Sequence, residues 1–205
     1  MAEKYHSLLD TIDTDILGIC EYNTNFTRSD TRIILFEDYP YYHIGTKYSY
    51  NQNAIFSKIS IKNSKETHFK VCVQKRYYVE TSFYVNKGNV TFVETHLDWD
   101  EGSNGAAYRR EQMKELAEEF SKRDNVIICG DFNNHKDMSE FDVFKKYGFS
   151  LANNGSLLTY PAKKTTSPID NIVFKGFDLV DVDLISDPTL SDHTMIRCFL
   201  KMKSS

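Results

Sequence analysis

Asn125-Val126-Ile127-Ile128-Cys129-Gly130-Asp131-Phe132-Asn133 is the stretch on which the reading of this chain turns. A short apolar, β-branched run closed by glycine and an acid reads as a buried strand with an acidic tip. Residues two apart on an extended chain point the same way. Asp131 and Asn133 are therefore expected to face one site, with Phe132 packed into the core between them. An Asx turn after the strand would also satisfy Asp-Phe-Asn-Asn, with a purely structural meaning.

Five other polar residues, in four motifs, sit at or just past the ends of apolar runs. Glu21 closes Ile16–Cys20, His96 lies in Thr95-His96-Leu97, Asp170 in Ile169-Asp170-Asn171-Ile172, and Asp192 and His193 in Ser191-Asp192-His193. Strand ends are where a sheet can aim several side chains at one point. Two carboxylates for a hard cation, a third to take a proton, an amide and two imidazoles are the parts of a metal-assisted phosphoester hydrolase. In this reading Glu21 and Asp192 hold the metal and Asp131 orients and deprotonates a water. Asn133 hydrogen-bonds a phosphoryl oxygen or the nucleophile. A buried acid bound to an imidazole fixes the ring and stabilises its protonated form, so Asp170 is paired with His193. His96 is expected to donate a proton or hydrogen bond to the phosphate.

Periodicity arranges the rest. Tyr5, Leu8, Leu9 and Ile12 form the stripe of an amphipathic helix. Asp15–Tyr22 reads as a strand, as do residues 32–37, 41–48 and 53–61. Residues 68–85 and 89–97 read as a hairpin around Asn86-Lys87-Gly88-Asn89. A second helix is expected over 108–123, with Met113, Leu116, Ala117 and Phe120 inward. Ser139 is expected to cap a short helix over 140–147 that Gly148 closes. Strands follow over 156–160, 170–175, 180–185 and 195–202. Interleaved strands with few helices suggest two packed sheets with helices outside.

The 205 residues fit one domain over 1–205. A net charge of −4 argues against a dedicated nucleic-acid binder while leaving room for an enzyme that grips a few phosphates. No apolar run has the length of a membrane-spanning helix, and none reads as a secretory h-region. Cys20, Cys72, Cys129 and Cys198 are expected as reduced thiols inside buried strands. Arg109-Arg110 and Lys163-Lys164 are read as solvated charge before phosphate contacts, and Trp99 as a loop anchor before a stacking platform.

These motifs resemble the endonuclease/exonuclease/phosphatase superfamily, the DNase I-like phosphoesterases. Besides the site motifs, Asn53-Ala54-Ile55-Phe56-Ser57-Lys58 is similar to that family's G-x-A-I-L-S strand, with Asn in place of Gly. Leu158-Thr159-Tyr160-Pro161-Ala162 is similar to a T-F-P-A segment of bacterial members. The resemblance implies an α/β (α+β) four-layer sandwich, two mixed sheets face to face with helices on the outer faces. It implies Mg²⁺ or Mn²⁺ at Glu21 with Asp192 nearby, Asp131 as base beside Asn133, and His193 held by Asp170. His96 would assist, as in the Thr-His-Leu subgroup. Members of the family normally begin with a strand carrying an Asn ahead of the glutamate. Here the helix over residues 3–13 takes that place, so an N-terminally truncated domain is expected.

The expected function is divalent-metal-dependent hydrolysis of a phosphodiester or phosphomonoester. The alternative is a catalytically weak or inactive member that binds a phosphorylated ligand or partner. Expected substrates are nucleic acid or a small phosphodiester, and the protein is expected as a monomer. A cytoplasmic location is expected if Met1 is the true start, and a secreted one if an upstream signal is missing.

Overall fold

The strand expected over 125–132 forms as β7 (Val126–Asp131) and lies inside a six-stranded sheet. The computed structural model describes residues 2–22, 37–46, 51–86, 88–100, 104–135 and 137–203. Across the large sheet run β4 (Asn63–His68), β5 (Tyr77–Val85), β6 (Gly88–His96), β7, β9 (Asp170–Lys175) and β8 (Ser150–Leu151), in that order. Every neighbouring pair is antiparallel except β6 and β7. That parallel pair needs a crossover, which helix α2 (Gly105–Phe120) supplies. Met113, Leu116, Ala117 and Phe120 of α2 are fully buried against Tyr78, Val93 and Ile128.

A 3-10 turn (Met138–Phe141) and helix α3 (Asp142–Lys146) extend the same outer core. Phe141 and Phe144 pack on Phe132, with ring centroids 5.1 Å and 6.1 Å away. The facing layer is divided. One part is a three-stranded antiparallel sheet of β1 (Ile16–Tyr22), β3 (Gln52–Ser57) and β2 (Tyr41–Ile44), in the order β1-β3-β2. The other is the hairpin of β10 (Phe177–Ile185) and β11 (Met195–Met202). Ile55, Phe83, Phe92 and Phe174 fill the space between the layers. Helix α1 (Ala2–Ile12) covers the outer face, with Leu9 and Ile12 on Leu17, Tyr39 and Phe56.

The result is the mixed α+β sandwich expected, helices outside two β layers, with differences in detail. Among the described residues only the large sheet is mixed, and the second layer is antiparallel and in two pieces. Strand β4 was hidden inside an expected strand and loop because Asn63-Ser64-Lys65-Glu66-Thr67-His68 is polar and largely exposed, with no apolar alternation. Residues 69–76 carry no strand, so β5 begins at Tyr77 rather than at 68. Residues 156–160 form no strand beyond a single bridge from Tyr160 to Ser167. Asp137 rather than Ser139 caps the short helical segment, accepting the Ser139 N–H at 3.0 Å. Cys72 lies in a loop, and all four cysteines are free and half-buried. The strand expected over 32–37 falls outside the described residues except Glu37, as do residues 47 and 48 of the one expected over 41–48. No helix among the described residues is long and apolar enough to cross a membrane.

Gly130 is required where it stands. Its φ is +148°, and a Cβ there would lie 1.8 Å from the Thr95 carbonyl oxygen on the neighbouring strand. Only glycine permits that approach, so β6 and β7 stay paired to their tips.

Candidate active site

Strand register sets His96 opposite Asp131 and Asp131 opposite Asp170. The ends of β6, β7 and β9 therefore present a row of polar side chains spaced by backbone pairing. His96 Nε2 lies 3.4 Å from Asp131 Oδ2. His193 enters from the loop ahead of β11, its Nδ1 2.9 Å from Asp170 Oδ2 and its Nε2 4.0 Å from Asp131 Oδ2. Asp131 thus has an imidazole on either side.

The loop carrying His193 is clamped by residues 159–162. The Thr194 N–H donates to the Thr159 carbonyl at 2.7 Å and the Ala162 N–H to the Asp192 carbonyl at 2.6 Å. The Asp170 N–H donates to Thr159 Oγ1 at 3.3 Å, and the Tyr160 ring sits 4.9 Å from the His193 ring. This segment therefore positions both members of the Asp170–His193 pair.

Glu21 reaches the site through a bulge. Ile19 pairs with Ala54 but Tyr22 pairs with Gln52, so β1 carries one extra residue against β3. Glu21 takes the left-handed φ of +55° there, and its exposed carboxylate ends 3.9 Å from His96 Nδ1. Asp192 is exposed beside His193. Among the described residues the acids and imidazoles close enough to share a metal ion are Asp131, Asp170 and His193, a set that includes neither Glu21 nor Asp192.

Asn133 is not reached by an extended chain. Its φ is +51°, and its N–H donates to Asp131 Oδ1 at 2.8 Å, the Asx turn that the sequence also allowed. Its Nδ2 donates to the Leu97 carbonyl at 3.0 Å, tying the tip of β7 to the tip of β6. Asp131 and Asn133 are together, but by a turn and not by strand alternation.

Burial dominates the electrostatics. It raises Asp131, as does the Asp170 charge, to about 8; the His193 charge, the Asn133 N–H and Arg76 pull the other way. Burial opposes protonation of His193, yet the hydrogen bond and charge of Asp170, with Asp131 and Asp192, outweigh it and lift the imidazole to about 9. His96 is driven the other way, well below its usual range, by burial and by the charges of Arg76 and His193. At neutral pH the cluster therefore holds a neutral imidazole at His96, a mostly protonated carboxyl at Asp131 and an imidazolium at His193.

Several contributors have no sequence signature. Arg76, half-buried just ahead of β5, sends positive charge toward Asp131, His96 and Glu21. It is held by Gln74 Oε1 at 3.2 Å, in a loop whose Val73 and Gln74 N–H groups bind the fully buried Asp98 carboxylate. Glu94 is fully buried behind the row and accepts from Cys20 Sγ at 2.8 Å. Arg109 is buried and pairs with Glu140 at 3.4 Å, so it supports the fold rather than facing solvent. Lys163 and Lys164 are exposed, and Trp99 is 57% exposed.

Residues 2–193 match the Endonuclease/Exonuclease/phosphatase family. No curated protein matches the chain. Among solved structures, a functionally unknown conserved protein from Enterococcus faecalis V583 aligns with TM-score 0.80 at 17% identity, covering 98% of this chain and 91% of that one. TDP2 from D. rerio, humanized by 14 mutations, aligns with TM-score 0.79 at 15% identity, with coverage of 98% and 91%. A mannosyl-6-phosphatase from Bacteroides thetaiotaomicron aligns with TM-score 0.74 at 16% identity, with coverage of 98% and 90%. At these identities the likeness is one of fold.

Proposed function

The chain belongs to the endonuclease/exonuclease/phosphatase family, and from that premise we propose that it is a divalent-metal-dependent phosphoesterase acting on a phosphodiester or phosphomonoester. The observation that carries this reading is the register row His96–Asp131–Asp170, with His193 and Glu21 converging on it. The donor set fits a hard cation such as Mg²⁺ or Mn²⁺. Glu21 is a carboxylate pushed outward by a bulge into solvent, where bound waters and substrate oxygens can complete the coordination. Glu21 would hold the ion with Asp192 nearby, and the ion would supply Lewis acidity toward a phosphoryl oxygen.

The chain's own groups divide the proton work. Asp131, buried and raised to about 8, is the group to take the proton of an attacking water; its ionised form is the base, and that form grows as pH rises through about 8. The Asn133 N–H and His96 Nε2 hold its two oxygens in place. His193 stays protonated and aimed by Asp170, so a positive N–H faces the charge that develops on phosphorus-bound oxygen. His96, kept neutral, has one N–H, which Nε2 directs at Asp131, and adds no second cation to the site.

One neighbour in the fold is named a mannosyl-6-phosphatase, which agrees with phosphoester chemistry. The test is hydrolysis of bis-p-nitrophenyl phosphate and p-nitrophenyl phosphate with Mg²⁺ or Mn²⁺. Turnover of either, abolished by EDTA and by Asp131→Asn, is expected. Absence of turnover with both ions, together with retained binding of a phosphorylated ligand, would instead favour the binding-only reading.

A further inference from the structure

One rim of the candidate site is an apolar lip. Along residues 71–76 exposure alternates: Val71, Val73 and Lys75 are exposed, and Cys72, Gln74 and Arg76 are half-buried. Val71 is 40% exposed and Val73 56%, while Trp99, the only tryptophan of the chain, is 57% exposed. Lys70 is exposed at the head of the same stretch. Backbone bonds fix these positions. The Val73 N–H donates to Asp98 Oδ2 at 3.1 Å, Gln112 Nε2 to the Val71 carbonyl at 3.2 Å and the Trp99 N–H to Gln74 Oε1 at 3.2 Å. Single exposed apolar side chains are ordinary, but three held on two tethered loops mark an interaction site. The lip adjoins the row of site residues. Leu97, two residues before Trp99, donates its N–H to the Asp131 carbonyl at 2.9 Å and accepts from Asn133 Nδ2 at 3.0 Å.

We propose that this lip seats the protein on an anionic lipid surface, with Val71, Val73 and Trp99 in the headgroup region and Lys70 and Lys75 on the lipid phosphates. The phosphoester that the site takes is then one presented at that surface. The docking stands by itself; the lipid-borne substrate rests on the phosphoesterase reading above. Charge selects the occupant. Val180, 66% exposed on β10, stands between exposed Asp178 and Asp181, which repel an anionic surface, whereas the valines of the lip lie between two lysines. Tryptophan favours the membrane–water interface, and lysine lays its stem along apolar surface while its ammonium reaches the headgroups. A nucleobase suits the lip less. Two aliphatic side chains offer it no ring face and no hydrogen bond, and a net charge of −4 disfavours a polyanionic strand. Three apolar side chains with two lysines make a contact that lies on the bilayer, reverses readily and weakens with salt.

Because Trp99 is the only tryptophan, its emission in the unaltered 205-residue protein reports the lip directly. Vesicles of phosphatidylcholine with about 30 mol% phosphatidylserine are expected to move that emission to the blue and to carry the protein in flotation, and phosphatidylcholine alone to bind at least about tenfold more weakly. Salt at about 0.5 M is expected to release the protein, a measurement that needs no variant. Val73→Asp is expected to lower partitioning at least about tenfold, and Lys70→Glu with Lys75→Glu to do the same. Val73→Asp should leave hydrolysis of soluble p-nitrophenyl phosphate as in wild type. Emission and flotation unchanged by either vesicle would overturn the proposal, as would equal partitioning of Val73→Asp. Emission moved by a nucleoside monophosphate or a short oligonucleotide, and not by vesicles, would replace it with a base-stacking platform. Vesicle binding without turnover of either p-nitrophenyl ester would uphold the docking and remove the phosphoesterase reading. Turnover without vesicle binding would do the reverse.

Discussion

The two halves of the site come from layers built to different standards. His96, Asp131 and Asp170 stand on the large sheet, where every strand between the edges is paired on both sides and the tips are locked by register. Glu21 and His193 arrive from the second layer, one from a bulge in β1 and one from the loop ahead of β11, strands that among the described residues pair on one side. In the function proposed above, proton handling would rest on rigid pairing, and cation and phosphate contacts on strand bulges and loops. The difference teaches that damage to the first group should be chemical and severe, and damage to the second graded and recoverable.

The largest effect is expected at Asp131. Asp131→Asn keeps the shape, and loss of the base should lower diester hydrolysis by roughly 10²–10⁴. The fold should not weaken with it. A carboxyl raised to about 8 in the folded state favours folding while protonated, so its contribution is present below pH ~4 and drains away as pH rises through about 8. The mutant should accordingly lose stability less than wild type across that window in thermal melts. Equal hydrolysis rates would make the row a structural feature and erase the contrast.

Next comes the backbone of that row. Gly130→Ala puts a Cβ against the Thr95 carbonyl oxygen, a clash with backbone that should cost about 3 kcal/mol in denaturant unfolding. A mutant as stable as wild type would show that β6 and β7 are not locked at their tips.

On the adjustable side, Glu21→Gln should weaken Mg²⁺ at least about tenfold, or roughly 1.4 kcal/mol, by calorimetry. Its melting temperature should be unchanged, since the side chain is exposed and outside the core. Unaltered Mg²⁺ affinity would move the metal toward Asp131 and Asp170. The smallest effect is expected at Asp170→Asn, read by NMR titration of His193. The imidazole should fall from about 9 toward its ordinary range because the main hydrogen bond and charge holding it up are gone. In wild type that raised value stabilises the fold below pH ~6.5 and ceases to do so as pH passes about 9. An unmoved titration would separate the two side chains in solution.

The contrast also explains what could be read in advance. Strand β7 and the face of α2 were legible because their apolar residues are consecutive or at helical spacing, and burial follows directly. The candidate site residues stand out in the sequence because each ends such a run. Asp131 and Asn133 were placed together for the wrong local reason, since a left-handed residue after the strand does what alternation was expected to do. Arg76, Glu94 and Tyr160 were not legible as neighbours of the candidate site. Their roles depend on a loop bolted down by Asp98, on burial behind β6 and on ring contact with a distant histidine, none of which leaves a local pattern. Strand β4 was missed for a related reason: a polar edge strand looks like loop until its partner is known.

The register row carries one more consequence. Side chains alternate along a strand, so sliding β7 by one residue against β6 and β9 would turn Asp131 into the core and bring Gly130 or Phe132 to the tip. No collapsed form with mispaired strands can present His96, Asp131 and Asp170 in line. The unusual titration of Asp131 is thus a signature of correct strand alignment, and in refolding it should return only with native pairing, after compaction and secondary structure have already recovered.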